Sequence, residues 1–236
     1  MTGLLAKAKS DIGKIREINE DSFICSPPLL VVADGMGGHV AGEVASQLAA
    51  ETLRKCVLTG ADHPVAMLNK AIDQANTLIY RMAKEKNELS GMGTTVTAAY
   101  VVGDVLYWGH VGDSRLYLVR DGELRQVTED HSLVGELVRS GNISAEEALT
   151  HPHRNILTRA VGTSDQVRVD SGTLDLIKGD VVLLCTDGLT NMLSDDEILD
   201  ITLGSENAVD ALIDRANTAG GLDNITVIVG RYGGGQ

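Results

Sequence analysis

The chain has 236 residues, 43% of them hydrophobic, and a formal net charge of −13 at pH 7. This apolar content is sufficient for a substantial core, which excludes a disordered chain. Because the negative charge would repel polyanions and only 3% of the residues are aromatic, the composition argues against nucleic acid and anionic membranes as partners.

The first third of the sequence predicts one buried strand and two helices. Residues 29–33 form an apolar run that the pair Asp34-Gly35 stops, which is typical of a buried strand ending in a turn. Apolar residues then recur on one face of a helix that begins near Ala41. A second helix begins at Pro64, a residue that suits a first helical turn, and its apolar positions recur every three or four residues.

From Thr94 onward the pattern changes to short β runs joined by tight turns. Gly-Asp and Asp-Gly pairs separate these runs and favour antiparallel hairpins. The runs cover residues 94–102, 105–111, 115–120 and 124–128. Residues 130–159 then form an irregular, partly helical segment of mixed charge. Within it, Gly141 ends one helix, and Ser144 and Glu147 have the spacing of a capping box that begins another.

The last third returns to strands and helices in alternation. Residues 180–186 form a second apolar strand that an Asp-Gly pair stops. Ser194 and Glu197 again have capping-box spacing, residues 209–216 form an amphipathic helix, and residues 225–229 form a final strand. Strands outnumber helices and arrive in hairpins. The sequence therefore predicts an α+β layered sandwich with mainly antiparallel sheets and helices packed outside them.

No linker, signal peptide or membrane span is evident in the sequence. We expect one domain over residues 1–232, followed by a flexible glycine tail at residues 233–236. The cysteines are odd in number and lack metal-binding spacing, which indicates a reducing compartment: Cys25, Cys56 and Cys185. These features predict a soluble, cytoplasmic protein, and we expect it to act as a monomer.

Four aspartates lie beside turns at the ends of apolar strands. Asp34 and Asp187 each follow a strand and precede glycine, Asp223 comes just before a strand, and Asp113 occupies a comparable turn. Any one of them alone reads best as a turn former. Since their strands pack into one core, the four carboxylates are expected to converge and to raise each other's pKa unless cations neutralise them. Carboxylates without cysteine or clustered histidine favour Mg²⁺ or Mn²⁺ over Zn²⁺.

Five short segments around these aspartates carry a more specific signal. They are Arg-Glu-Ile-Asn-Glu-Asp at 16–21, Val-Ala-Asp-Gly-Met-Gly-Gly-His at 32–39, Gly-His-Val-Gly-Asp-Ser-Arg at 109–115, Cys-Thr-Asp-Gly-Leu at 185–189 and Asp-Asn-Ile-Thr at 223–226. In this order they resemble the motifs of the type-2C, Mg²⁺/Mn²⁺-dependent protein phosphatases, most closely the bacterial branch. The resemblance implies a four-layer αββα sandwich with a small flap. It also implies hydrolysis of phosphoserine and phosphothreonine by direct attack of a metal-bridging water.

The resemblance also implies a ligand set for two core ions, Mn²⁺ or Mg²⁺. Asp34 matches the carboxylate that bridges both ions, and the carbonyl of Gly35 matches a ligand of the second. Asp187 and Asp223 match the remaining carboxylates of the first ion. Glu20 matches an acid that contacts the ions through water. The expected partners are phosphorylated proteins, the products of a Ser/Thr kinase.

Further roles follow from the same resemblance. Asp113, with Asp187, matches a third metal site of bacterial members. Arg16 matches the phosphate clamp, against the alternative of a surface arginine before a strand. His39 is the candidate general acid, displaced from the position where many eukaryotic relatives carry histidine, and a structural histidine is the alternative. Residues 130–159 match the flap, which either selects substrates or is a passive surface loop.

Two other functions compete with this interpretation. One is a catalytically silent member of the same fold that acts as a binding or regulatory module. Retention of all the core aspartates disfavours it. The other is an aspartyl-phosphate enzyme with Asp34 or Asp187 as nucleophile. The scattered acids and the antiparallel layout disfavour that chemistry.

Overall fold

Two antiparallel β-sheets form the centre of the protein, which we describe from a computed structural model over residues 3–37, 40–59 and 63–233. In chain order the strands are β1 (Leu4–Asp11), β2 (Asp21–Ser26), β3 (Leu29–Met36), β4 (Gly93–Thr94), β5 (Val96–Val102), β6 (Val105–Val111), β7 (Arg115–Arg120), β8 (Glu123–Gln126), β9 (Asp170–Asp175), β10 (Val181–Cys185) and β11 (Ile225–Tyr232). The first sheet has the order β1-β11-β10-β7-β8. The second has the order β2-β3-β5-β6-β9, with β4 paired to β3.

Helices lie on the outer faces of both sheets and in the connections between strands. They are α1 (Val40–Thr59), α2 (Pro64–Glu85), α3 (Leu133–Arg139), α4 (Ala145–Thr150), α5 (Asp187–Thr190), α6 (Asp195–Gly204) and α7 (Ala208–Thr218), with a 3₁₀ turn at Asn87–Leu89. Helices α1 and α2 pack on the second sheet, and α6 and α7 pack on the first. The predicted four-layer αββα sandwich is therefore confirmed. None of the helices in the described ranges is long and apolar enough to cross a membrane.

Strand β3 shows why the sequences of the central strands are unbroken apolar runs. Leu29 and Val31 pack with the helices, whereas Leu30 and Val32 pack between the two sheets. Because successive side chains of a strand point to opposite faces, burial of both faces requires an apolar residue at every position. The alternating pattern of a half-exposed strand is absent from β3 for this reason.

The hairpin strands agree closely with the sequence prediction, but several strand ends differ. The final strand, predicted over residues 225–229, continues to Tyr232. The strand that was predicted to stop before Asp34 continues to Met36, because Gly35 and Met36 pair with Thr94 and Gly93. Strands β1, β2 and β9 were not predicted. Each lies at the edge of a sheet and exposes much of its length, so its residues do not form an apolar run.

Residues 130–159 form an excursion with a narrow neck beside β6 and β7. Helices α3 and α4 lie within it, and the capping box predicted for Ser144 and Glu147 is confirmed. An isolated bridge between Ser132 and Leu157 joins the two sides of the neck. The chain thus leaves and re-enters the sandwich at almost the same point.

Candidate active site

The predicted aspartates meet at one end of the sandwich, where the chain crosses from sheet to sheet. Residues 12–20 connect β1 of the first sheet to β2 of the second, and residues 112–114 connect β6 to β7. Asp187 directly follows β10, and Asp223 lies just before β11. Asp34 lies near the matching end of β3. Strand pairing therefore brings together acids that are up to 189 positions apart in the sequence, the separation of residues 34 and 223.

Asp34 is held by its backbone, which leaves its side chain free to enter the site. Its N–H donates to Thr95 Oγ1 at 2.9 Å, and its carbonyl accepts from Thr95 N–H at 2.9 Å and from Thr94 Oγ1 at 2.8 Å. Burial raises the pKa of Asp34 well above its ordinary value, and the carboxylates of Asp21 and Asp187 raise this pKa further. The carboxyl group is thus rigidly placed and costly to ionise without a cation.

Gly35 must be glycine because the backbone of two neighbouring segments presses against it. A Cβ atom there would lie 2.2 Å from the carbonyl oxygen of Gly42 and 2.5 Å from that of Glu20. Its N–H also donates to the Glu20 carbonyl at 3.1 Å. The Asp-Gly pair is therefore not a simple turn. It is the point where β3, the start of α1 and the loop before β2 come into contact.

Asp21 lies at the centre of the site, although sequence reasoning gave it no role. It is 9% exposed and accepts hydrogen bonds from Thr186 Oγ1 at 2.9 Å and Thr226 Oγ1 at 2.6 Å, two hydroxyls of the first sheet. Burial raises the pKa of Asp21 to about 7, although those two hydroxyls partly offset the effect. The role of Asp21 could not be predicted because it depends on the pairing of β2 with β3, which sets Asp21 directly opposite Asp34.

Asp187 and Asp113, both partly exposed, complete the cluster. Asp187 begins the one-turn helix α5, and its Oδ2 accepts from Asn191 Nδ2 at 3.0 Å. Burial raises the pKa of Asp187, and Asp223 raises it further, although a hydrogen bond with the Asp34 carboxyl group opposes this. Burial also raises the pKa of Asp113 well above its ordinary value, and Asp187 is the next cause. The four predicted aspartates therefore do form one electrostatic cluster.

Arg16 and Glu20 lie in the loop between β1 and β2, at the mouth of the cluster. Arg16 Nη2 donates to Asp223 Oδ2 at 2.8 Å, and the arginine side chain is 48% exposed. The Glu20 N–H donates to Asn224 Oδ1 at 2.8 Å, and Asn224 Nδ2 bonds two further carbonyls of the loop. Asn224 thus ties the loop to the strand that follows Asp223. His39 lies outside the described residues, so its predicted role stays a prediction.

The chemistry of this cluster fits hard divalent cations. Three of its buried carboxylate oxygens have no hydrogen-bond partner among the described residues: Glu20 Oε1, Asp21 Oδ1 and Asp187 Oδ1. A buried carboxylate oxygen without a partner is costly, and a cation would satisfy all three. Among the described residues, the candidate side-chain ligands are all carboxylate oxygens, which Mg²⁺ and Mn²⁺ prefer.

The carboxylates are close neighbours without forming a finished coordination shell. Within residues 3–37, 40–59 and 63–233, no three or more acidic, histidine or cysteine side chains are arranged so that together they could hold an ion. A cation would nevertheless compensate the desolvation of the three buried carboxylate oxygens that lack a hydrogen-bond partner among the described residues.

A cluster of buried carboxylates between the two sheets of a four-layer sandwich defines the site of a metal-dependent hydrolase. The chain belongs to the protein phosphatase 2C family, which it matches over residues 18–225. The predicted family is thereby confirmed.

Individual relatives resemble the chain over almost its whole length. The serine/threonine phosphatase stp of Listeria welshimeri is 43% identical over 238 residues, which cover 95% of this chain and 94% of that protein. A crystal structure of the Mycobacterium tuberculosis serine/threonine phosphatase PstP/Ppp is 41% identical, has a TM-score of 0.91, and matches 98% of this chain and 99% of that one. A second structure, the PstP catalytic domain in complex with two manganese ions, is 40% identical with a TM-score of 0.89 and matches 97% of each chain.

Proposed function

We propose that this protein phosphatase hydrolyses phosphoserine and phosphothreonine in proteins, with Mn²⁺ or Mg²⁺ bound at the carboxylate cluster. The observation that carries the proposal is the group of three unpartnered buried carboxylate oxygens at the end of the sandwich. Membership of the 2C family and the two manganese ions in the related PstP structure support the same reaction. Its substrates would be the products of protein kinases that phosphorylate serine and threonine.

Specific residues would hold the cations. Asp34, Asp187 and Asp223 would bind two core ions together with the Gly35 carbonyl, and Glu20 would contact them through water. The ions would supply positive charge for the phosphate group and would lower the pKa of water at the site. Asp21 would support this arrangement, since its hydrogen bonds with two threonine hydroxyls join the second sheet to the first.

A third cation site is proposed at Asp113, shared with Asp187. The pKa of Asp113 is raised by burial first and by Asp187 second, so the two carboxylates lie close enough to repel each other strongly. A cation between them would relieve that repulsion. The Asp113 carboxyl group lies in the turn that connects the two sheets, beside the neck of residues 130–159.

The proposed reaction is tested by metal removal. Hydrolysis of a phosphothreonine peptide should require Mn²⁺ or Mg²⁺, disappear in chelator and return when the ion is restored, because the carboxylate cluster would repel a phosphate dianion unless cations neutralise it. Asp187→Ala should abolish the activity, whereas Asp196→Ala, at an exposed acid of α6, should retain it. Undiminished hydrolysis in chelator would contradict the mechanism. Capture of a phosphoaspartate during turnover would favour the covalent alternative.

Arg16 is proposed as the phosphate clamp. Asp223 accepts from one end of its guanidinium, and the exposed remainder presents further N–H donors at the mouth of the site. Arg16→Ala is expected to raise the KM for a phosphothreonine peptide by about 10- to 100-fold, since a charge-assisted hydrogen bond contributes roughly 1.5–3 kcal/mol. Arg16→Lys should recover only part of this, because lysine lacks the planar fork.

A matched control for the clamp is Arg215→Ala. Arg215 is similarly exposed and paired with Glu197, but it lies on α7. Its replacement should leave the KM within about twofold, in keeping with the small contribution of exposed ion pairs. Equal effects of the two substitutions on KM would show that general surface charge, and not a clamp at Arg16, governs substrate binding.

A further inference from the structure

Two buried histidines beside the cluster have no part in the proposed chemistry. His110 and His131 lie with their ring centroids 4.7 Å apart. His110 is a strand residue, as expected, and its ring nitrogens bond Thr97 Oγ1 at 2.9 Å and the Glu129 carbonyl at 3.1 Å. His131 is 2% exposed and has a different set of partners.

The bonds of His131 define its tautomer. Its Nδ1 accepts the backbone N–H of Gly112 at 3.0 Å, so Nδ1 carries no proton. Its Nε2 lies 3.0 Å from Asp170 Oδ2 and therefore carries the proton, which it donates to that carboxylate. Burial is the largest cause that lowers the pKa of His131, and the hydrogen bond that its Nε2–H donates to Asp170 only partly opposes it. The ring is thus neutral, with both nitrogens engaged.

His131 holds both backbone groups of Gly112. In addition to the ring contact, the His131 N–H donates to the Gly112 carbonyl at 2.7 Å. Gly112 has a φ of +114°, and a Cβ atom there would lie 2.5 Å from Thr95 Cγ2. Only glycine therefore fits this turn, and the next residue is Asp113, the proposed third-site ligand. His131 fixes the Gly112 backbone through hydrogen bonds to both its N–H and its carbonyl, and the position of Asp113 depends on that backbone.

The same histidine closes the neck of residues 130–159. Its carbonyl accepts the Thr158 N–H at 2.9 Å, so it joins the beginning of the excursion to its end. The Asp170 carboxylate, which orients the imidazole, also accepts Arg159 Nη1 at 2.8 Å. Asp170 lies on β9 opposite His110 of β6 and is therefore anchored in the second sheet. One histidine–aspartate pair thus touches the metal-site turn and both sides of the neck.

We propose that His131 and Asp170 form a positioning pair that fixes the position of Asp113 relative to the neck of residues 130–159. Cation binding at Asp113 and the position of this flap, residues 130–159, are then coupled through the Gly112 backbone. The inference rests on the proposed function in one respect, that Asp113 binds a cation. The pair acts through Gly112 and does not touch the substrate.

Two conservative substitutions separate the contacts of the ring. Asparagine places its amide near the position of Nδ1, so His131→Asn can still accept the Gly112 N–H but loses Asp170. Glutamine places its amide near the position of Nε2, so His131→Gln keeps the bond to Asp170 but loses Gly112. Mn²⁺ binding by titration calorimetry should weaken about tenfold at the weakest site in the glutamine variant and stay within about threefold in the asparagine variant.

Amide hydrogen exchange in chelator provides a readout that does not depend on activity or metal. Exchange at Gly112 and Asp113 should accelerate in His131→Gln, whereas His131→Asn should mainly accelerate exchange at Thr158 and Arg159. In phosphopeptide assays, added Mn²⁺ should restore the kcat of His131→Gln. Equal effects of both variants, or no effect of either, would overturn the positioning role.

Two controls keep the test independent of folding and of the proposed function. Asp180→Asn breaks a buried ion pair with Arg120 at the opposite end of β7 and β10, and should lower thermal stability without changing Mn²⁺ affinity. In the wild-type protein without metal, a two-bond ¹H–¹⁵N correlation spectrum should show His131 protonated at Nε2 alone. Protonation at Nδ1 would overturn the inference even if no variant folds. Failure of wild-type protein to bind Mn²⁺ would instead refute the proposed function.

Discussion

Replacing Asp34 by asparagine is expected to lower turnover of a phosphothreonine peptide roughly a thousandfold, because the carboxylate proposed to contact both core cations would be lost. The same substitution should raise the melting temperature of the metal-free protein. Burial and four neighbouring carboxylates, those of Asp21, Asp187, Asp113 and Asp223, raise the pKa of Asp34, so its ionised form opposes folding at neutral pH. An amide of the same shape removes this repulsion.

Two measurements on the Asp34→Asn protein test this pairing of effects. Steady-state kinetics at saturating Mn²⁺ gives the loss of turnover, and calorimetry with and without Mn²⁺ gives the stability. The rise in melting temperature that Mn²⁺ causes in the wild-type protein should largely disappear. Asp73→Asn, at an exposed acid on α2, is the control and should change neither quantity appreciably. A lower melting temperature of Asp34→Asn in chelator would show that Asp34 stabilises the fold and would contradict the electrostatic argument.

The metal-free protein is expected to lose stability as the pH rises from about 6.5 to 8. Burial raises the pKa of Asp21 from its ordinary value of 3.8 to about 7, and Asp34 and Asp113 are shifted well above that ordinary value in the same direction. Between the unfolded and folded pKa values the folded protein binds more protons, so stability falls with rising pH. The contribution is complete below pH 3.8 and is lost as the pH passes the folded values. For Asp21 the shift corresponds to about 4 kcal/mol.

Other groups act in lower pH ranges and so do not obscure this trend. Burial lowers the pKa of His110 to about 3 from 6.5, so the unfolded chain binds more protons and stability rises with pH only up to about 6.5. The pKa values of Asp170 and Asp180 are lowered by their arginine partners, although burial opposes this. Those two contributions are present above the ordinary aspartate pKa and are lost only in acid.

Thermal melts at several pH values, in chelator and with Mn²⁺, measure this dependence. With Mn²⁺ bound, the carboxylates are held ionised and protons compete with the ion, so stability should rise with pH over the same interval. Asp21→Asn should reduce the slope in chelator. Identical slopes with and without Mn²⁺ would contradict the proposal that the carboxylate cluster binds cations.

Motif order allowed the fold family and most of the candidate site to be predicted before any coordinates. The strand ends at Asp34, Asp187 and Asp223 are local features, because an apolar run and an Asp-Gly or Asp-Asn pair can be read without knowing what packs against them. Edge strands β1, β2 and β9 were missed because their half-exposed residues resemble loops. The extension of β3 to Met36 was missed because it depends on pairing with β4.

Residues whose roles depend on contacts across sheets could not be predicted in this way. Asp21 becomes important only because β2 lies opposite β3 and because hydroxyls of the other sheet, from Thr186 and Thr226, reach its carboxylate. His131 and Asp170 are 39 positions apart and are joined by a side-chain hydrogen bond, with Asp170 placed by the pairing of β9 with β6. No local spacing encodes such a contact.

The sequence by itself determined the chemical identity of this protein: the oxygen donors, the preference for hard cations, the phosphatase 2C motifs and the αββα layering. Those properties depend on the types of residue and on their local order, and both can be read directly from the sequence. The tertiary structure alone decided which acids are buried, how strongly they repel one another and what holds the Asp113 turn in place. Burial and charge coupling arise from packing between distant segments, and only the folded sandwich specifies that packing.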